Sequence, residues 1–188
     1  MIGNLQVYLG PEALNHYGVL LRSLVHGAGL WVVRAVMLTA VALHIWAATS
    51  LTLESRRARP VGYREQQWKE STYASRTMRW GGVIILLFVI YHLMHFTTGT
   101  AHPDFIEGDI YHNFVTGFQS VPVSIVYIVA MLALGLHLRH GVWSMFQTLG
   151  VSHPRYIALA HVAAWLVAVL VVVGNISFPV AVLAGIVK

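Results

Sequence analysis

Eleven histidines stand in a chain of 188 residues that has no cysteine, and two of them have matching surroundings. Leu43-His44-Ile45 and Leu136-His137-Leu138 each place an imidazole deep in an apolar run, fifteen positions past the run's start at Gly29 and at Pro122. A polar ring in hydrocarbon needs a partner and is a functional candidate by default, and a neutral imidazole is the commonest metal ligand among side chains. Two imidazoles at one depth on parallel helices can grip a flat ring with a metal at its centre from both faces. Bis-histidine haem ligation is the chemistry this spacing points to. For either histidine alone, a hydrogen bond to a neighbouring helix explains the position equally well; the matched depth favours ligation.

The remaining histidines divide by depth. His92 and His95 lie one helical turn apart in a third apolar run, about 10 Å and about 6 Å from its end at Gly99 at 1.5 Å per residue. His44 and His137 each sit nine residues before the end of their runs at Leu53 and Phe146, about 13 Å from it, at the opposite side of the bilayer. His92 is therefore a candidate ligand of a second haem, and His95 an interface or hydrogen-bonding residue. His140 shares the face of His137, and His161 comes at nearly the same depth. With Arg139 they are candidate neighbours of haem propionates or of a quinone head group, an interfacial position against lipid headgroups being the competing account. His16, His26, His102, His112 and His153 lie in polar or interfacial segments and receive no role.

The elements that must position these rings are membrane helices. The chain is 57% hydrophobic and 10% charged, with a mean hydropathy of +0.66, where a soluble domain carries about 25% charged residues. Apolar runs of about 20 residues mark spans, here at 29–53, 80–99, 122–146 and 156–180. The expected fold is all-α, a polytopic transmembrane helix bundle forming one membrane-embedded domain over residues 1–188. A helix over Pro11–His26, with Leu14, Tyr17, Leu20, Leu21 and Leu24 at three- and four-residue spacing, is amphipathic and expected to lie along the interface. The last span is expected to bend or fray around Gly174 and Pro179. Residues 100–121 read as an acidic connection, with Asp104, Glu107 and Asp109 and no Lys or Arg.

Nine of the twelve Lys and Arg fall at residues 56–79, 139 and 155. The positive-inside rule then makes the basic 54–79 loop cytoplasmic, in a cell (inner) membrane. The formal charge of +5 follows from this topology, with no nucleic-acid partner implied. The lack of cysteine excludes disulfides and protein-ligated iron–sulfur clusters. No carboxylate lies inside a span, which argues against a transporter driven through a buried acid. Walker, dinucleotide and nucleophile-elbow signatures are absent from the sequence. On the residues alone two rivals stay open: another quinone-linked cytochrome b, of the hydrogenase or formate dehydrogenase type, and a non-redox scaffold or transporter with structural histidines.

The motifs nevertheless resemble one family across essentially the whole chain. They are Gly3-Asn4-Leu5-Gln6, Gly10-Pro11-Glu12-Ala13-Leu14-Asn15, Leu43-His44-Ile45, Leu53-Glu54-Ser55-Arg56-Arg57-Ala58-Arg59-Pro60, Thr72-Tyr73-Ala74-Ser75-Arg76-Thr77-Met78, Tyr91-His92-Leu93, Tyr111-His112-Asn113 and His137-Leu138-Arg139-His140-Gly141-Val142-Trp143-Ser144. The chain resembles the cytochrome b subunit of succinate dehydrogenase and fumarate reductase, in its single-subunit form with five spans and two b haems. The resemblance implies a membrane anchor for an iron–sulfur subunit and, through it, a flavoprotein, with electrons passing to a membrane quinone, menaquinone being the expected type. It implies that His44 and His137 are the axial pair of the cytoplasmic-side haem b and His92 one ligand of the outer haem. Arg76, Arg79, Arg139 and His140 are expected near propionates or quinone carbonyls. The family has a further span before the Gly-Asn-Leu-Gln stretch, whose last turn supplies the outer haem's second ligand. That histidine would fall before Met1, so a start placed too late or a truncated sequence is expected, a four-span, one-haem variant being the alternative.

Overall fold

The computed structural model describes residues 3–58, 73–151 and 153–188, with 73–76 and 154 described by backbone alone. Six α-helices follow one another: α1 Pro11–Ser23, α2 Ala28–Ala58, α3 Tyr73–Phe96, α4 Ile110–Gln119, α5 Val121–Thr148 and α6 Pro154–Leu183. Among the described residues there is no strand. Helical stretches within Pro11–Ala58, Thr77–Phe96, Val121–Thr148 and Arg155–Leu183 are long and apolar enough to cross a membrane, and the chain is a membrane protein built as a polytopic helical bundle. The reason is the solvent: hydrocarbon offers backbone N–H and C=O groups no partner, so a spanning segment must satisfy them within itself.

The chain falls into two compact units, residues 16–69 and residues 1–15 with 70–188. In the first, α2 buries none of its residues. Its entry is a tight turn: Val25, His26 and Gly27 take positive φ values of 52°, 54° and 87°. Left-handed backbone is disfavoured for a β-branched residue, so the helix expected through His26 stops at Ser23, and α2 starts afresh at Ala28. Arg34 lies over the ring of Trp31, 4.9 Å from its centre.

The second unit is a bundle of α3, α5 and α6 with α4 across one end. The first half of α6 buries a row of small residues, Ala160, Ala164 and Ala168, and on α5 a Cβ at Gly135 would run into Val172 of α6. Small residues are how membrane helices approach closely without a hydrophobic drive between them. α6 continues through Gly174 and Pro179 to Leu183, so the helix does not fray there.

The acidic connection contains α4, an amphipathic helix that the sequence reading leaves as a loop. Asp109 caps it, its carboxylate accepting from the His112 N–H at 3.0 Å, which satisfies one of the helix's orphan donors. Asn15 clamps the same corner, donating to Asp109 at 3.0 Å and accepting from the Tyr111 N–H at 2.9 Å. Phe114, Val115 and Phe118 point inward and join Val7, Leu14, Tyr127, Phe178 and Val182 in one core. α3 ends at Phe96, three residues before the expected Gly99. There the chain turns at Gly99, with φ of 73°, and the space a Cβ would need is filled by Phe105. Ser120 alone separates α4 from α5, and the buried Ser124 hydroxyl donates across this corner to the Phe118 carbonyl at 2.7 Å.

Candidate functional site

Histidines occupy two neighbourhoods of the α3–α5–α6 bundle. At the α4 end, His95 is wholly buried. Its ring stacks on Tyr91 with centroids 5.5 Å apart and on His102 at 4.8 Å. Its Nδ1 lies 3.0 Å from the Tyr127 hydroxyl, and the same hydroxyl lies 3.2 Å from Nδ1 of the half-buried His92. His102 is tied to backbone at both nitrogens. Nδ1 accepts from the Asp104 N–H at 3.0 Å, so Nε2 carries the proton that it donates to the Asn113 carbonyl at 2.7 Å. His112 donates to the Asp104 carboxylate at 3.0 Å. Outside the spans, Asp109 is held below the ordinary carboxylate range, first by the His112 N–H and then by the Asn15 amide.

The other neighbourhood lies ten residues nearer the α3 N-terminus, about 15 Å along the helix. Here α3 and α5 part to leave a groove of about 320 Å³ lined by Thr77, Met78, Trp80, Gly81, Ile84, Ala133, Leu136 and His137. A Cβ at Gly81 would meet nothing within 4 Å, and one at Gly82 would meet first the His137 ring, Cε1 at 3.8 Å. Gly81 thus leaves bare backbone in a cleft that holds the His137 imidazole and is otherwise apolar apart from Thr77. That donor set fits a flat, apolar-edged ring whose metal takes nitrogen. At His92, the Tyr127 contact occupies Nδ1 and leaves Nε2 as the nitrogen that can take a metal, an orienting arrangement common to metal-bound histidines.

The other expected site residues are placed individually. His44 lies midway along α2, in the first unit, with an exposed side chain. Arg139 sits over the Trp165 ring at 4.2 Å, and His161 stacks on Trp143 with centroids 3.6 Å apart. His140 is half-buried one turn after His137, and Arg79 is exposed. None of Arg79, Arg139 and His140 is among the groove's lining residues. The side chain of Arg76, and Arg59, Arg64 and Lys69 of the basic loop, lie outside the described residues. Sequence reasoning missed Tyr127, a lone tyrosine in an apolar run with nothing to mark its two partners. It also assigned nothing to His102, or to His153, which caps α6 by accepting from the Arg155 N–H at 3.2 Å.

No curated protein and no solved structure matches this chain. Residues 55–175, more than half of the chain, match the family described as succinate dehydrogenase/fumarate reductase transmembrane subunit. That stretch holds α3, α4 and α5 entire, and with them both histidine neighbourhoods and the groove. This chain belongs to the family of transmembrane subunits of succinate dehydrogenase and fumarate reductase.

Proposed function

We propose that this subunit holds haem b in the membrane and passes electrons between an iron–sulfur subunit, which carries the flavoprotein, and a membrane quinone. Family membership supports association with the other subunits of a succinate dehydrogenase/fumarate reductase complex. The observation that carries the haem assignment is the groove where Gly81 and Gly82 lie bare beside His137. A b haem held by two imidazoles supplies one-electron storage in a six-coordinate site with no open position for oxygen.

The chain's own residues do the rest. His137 would offer a neutral imidazole to the haem iron, and His44, at the matching position of its own span, would offer the second. Gly81 and Gly82 let the ring edge approach α3, while Ile84, Ala133 and Leu136 exclude water and keep the dielectric low. His92, oriented by Tyr127, would be one ligand of a second haem, whose other ligand the family resemblance places before Met1. Arg76, Arg79, Arg139 and His140 neutralise propionates or orient a quinone carbonyl on the cytoplasmic side, Arg139 leaving its Trp165 stack to do so. Menaquinone is the quinone expected, and the basic stretch 54–79, whose two ends belong to α2 and α3, faces the iron–sulfur subunit.

The test is purification of the complex through a tag on this chain after mild detergent extraction. The expected preparation contains the flavoprotein and iron–sulfur subunits and shows b-type haem absorption on reduction with dithionite. A complex that keeps both partners but shows no haem bands would remove the haem assignment. Recovery of neither partner nor haem would sink the whole reading.

A further inference from the structure

Tyr127 stands between two imidazoles with a single proton to give. Its hydroxyl is 3.0 Å from His95 Nδ1 and 3.2 Å from His92 Nδ1. A hydroxyl has one donor and two lone pairs, and a neutral imidazole has one N–H and one bare nitrogen. The triad therefore has two well-paired arrangements. In one, His95 donates to Tyr127 and Tyr127 donates to His92, so the proton of His92 sits on Nε2, and the only nitrogen free of Tyr127 cannot bind a metal. In the other, His92 donates from Nδ1 to Tyr127 and Tyr127 donates to His95, so His92 Nε2 carries its lone pair outward. If both imidazoles donated to the oxygen, the hydroxyl proton would have no acceptor among the described residues.

We infer that Tyr127 donates to His95 and accepts from His92, so that His95 and Tyr127 are positioning residues that hold His92 in its metal-binding tautomer. The inference rests on the reading of His92 as a haem ligand and goes beyond it by naming what makes His92 competent. His95 is built for this role. It is wholly buried and stacked between Tyr91 and His102. It is also pressed against Gly117, where a Cβ would come within 2.8 Å of its Cε1 and 3.1 Å of its Nε2. The ring has no room to swing away from the hydroxyl. His102 cannot compete for it, because both His102 nitrogens are committed to backbone. His95 Nε2 has no hydrogen-bond partner among the described residues, so in this arrangement its N–H stays unpaired, a cost that binding of a metal at His92 Nε2 must exceed. Phe88 and Phe118 hold the tyrosine ring edge-on, each with centroids 4.9 Å away.

An N–H of a ligating imidazole that donates to an oxygen makes the ligand more basic, which favours oxidised iron and lowers its potential. The experiment is an optical redox titration of the haem components in the purified complex, with four variants. His92→Ala tests the underlying reading: one component should disappear, and if both persist that reading fails and the inference with it. Tyr127→Phe keeps the ring packing and removes the hydroxyl. The same component should remain bound with its midpoint potential raised; an unchanged or lowered potential overturns the inference while leaving His92 as a ligand. His95→Leu takes away the acceptor and turns the hydroxyl proton towards His92 Nδ1, so occupancy of that haem should fall at least several-fold. The double variant Tyr127→Phe/His95→Leu has no hydroxyl to misdirect His92 and should recover most of the occupancy. A merely structural role for His95 predicts the opposite, a double variant no better than His95→Leu, and that result overturns the inference. If His95→Leu prevents assembly, the sign of the Tyr127→Phe shift decides the matter by itself.

Discussion

The two ends of the α3–α5–α6 bundle use the same residue type for different work. At the α4 end His95 is sealed among Tyr91, Phe96, His102 and Tyr127, and a glycine on α4 is needed for the ring to fit. At the other end His137 faces a cleft where, among the described residues, nothing lies within 4 Å of where a Cβ would stand at Gly81. Burial alone therefore does not separate a histidine packed among rings from one beside open space. Where the neighbours close in, the imidazole is a structural or orienting group. Where they are missing, as at Gly81, open space is left beside the ring.

Adding a side chain at each end should break the comparison open. Gly117→Leu drives branched carbon into His95 and His102, which already lie at 2.8 and 3.0 Å from an ideal Cβ. Overpacking of this kind costs about 1–3 kcal/mol or more, and the complex should lose most of its thermal stability or fail to assemble. Gly81→Leu enters open space. It should leave the helix at least as stable, since glycine is the poorer helix former by up to about 1 kcal/mol, yet abolish binding of the haem beside His137. A thermal melt read together with the haem spectrum separates the outcomes: stability lost at one end, cofactor lost at the other. Equal behaviour of the two variants would dissolve the distinction.

Asp109→Ala acts on what closes the α4 end. It removes the cap and the Asn15 contact, and should cost about 1 kcal/mol, measured as a lower midpoint of thermal unfolding at neutral pH. The effect has a defined pH dependence. The folded carboxyl is held below its ordinary range by the His112 N–H and the Asn15 amide, so its contribution is complete above the ordinary Asp pKa of about 3.9. It is lost as the pH falls through the depressed folded value, and the wild-type advantage over Asp109→Ala should shrink only in that acid range. The smallest effect belongs to the other end. Arg139→Gln removes the guanidinium from the Trp165 ring, worth about 0.5–1 kcal/mol, and should change Trp165 fluorescence more than it changes stability.

Much of this architecture is written plainly in the chain. The spans are legible because apolar runs of that length have one physical solution in a bilayer, and His44, His92 and His137 stand out because a polar ring in such a run demands an account. The α4 helix is legible too, since Ile110, Phe114, Val115 and Phe118 recur at helical spacing behind a capping Asp109, but the acidic residues around it mask the signal. The break between α1 and α2 was not legible, since Val25 in left-handed backbone contradicts its own preference and only the surrounding structure sets it. Tyr127 was equally hidden. Its partners are 35 and 32 residues away, and no local pattern reveals that one hydroxyl meets two imidazoles. The groove was foreshadowed by Gly81-Gly82 and His137, but glycine is common enough in membrane helices that only the open space beside it gives the pair meaning. Gly135, alike in sequence, turns out to seat Val172.

The central proposal is that His44 and His137 are the two ligands of one haem. It is tested most directly by resolving the haem components of the purified complex in a redox titration of His44→Ala and of His137→Ala. The account predicts that both variants lose the same component and keep the other. Loss of different components, or survival of both components in either variant, would contradict it.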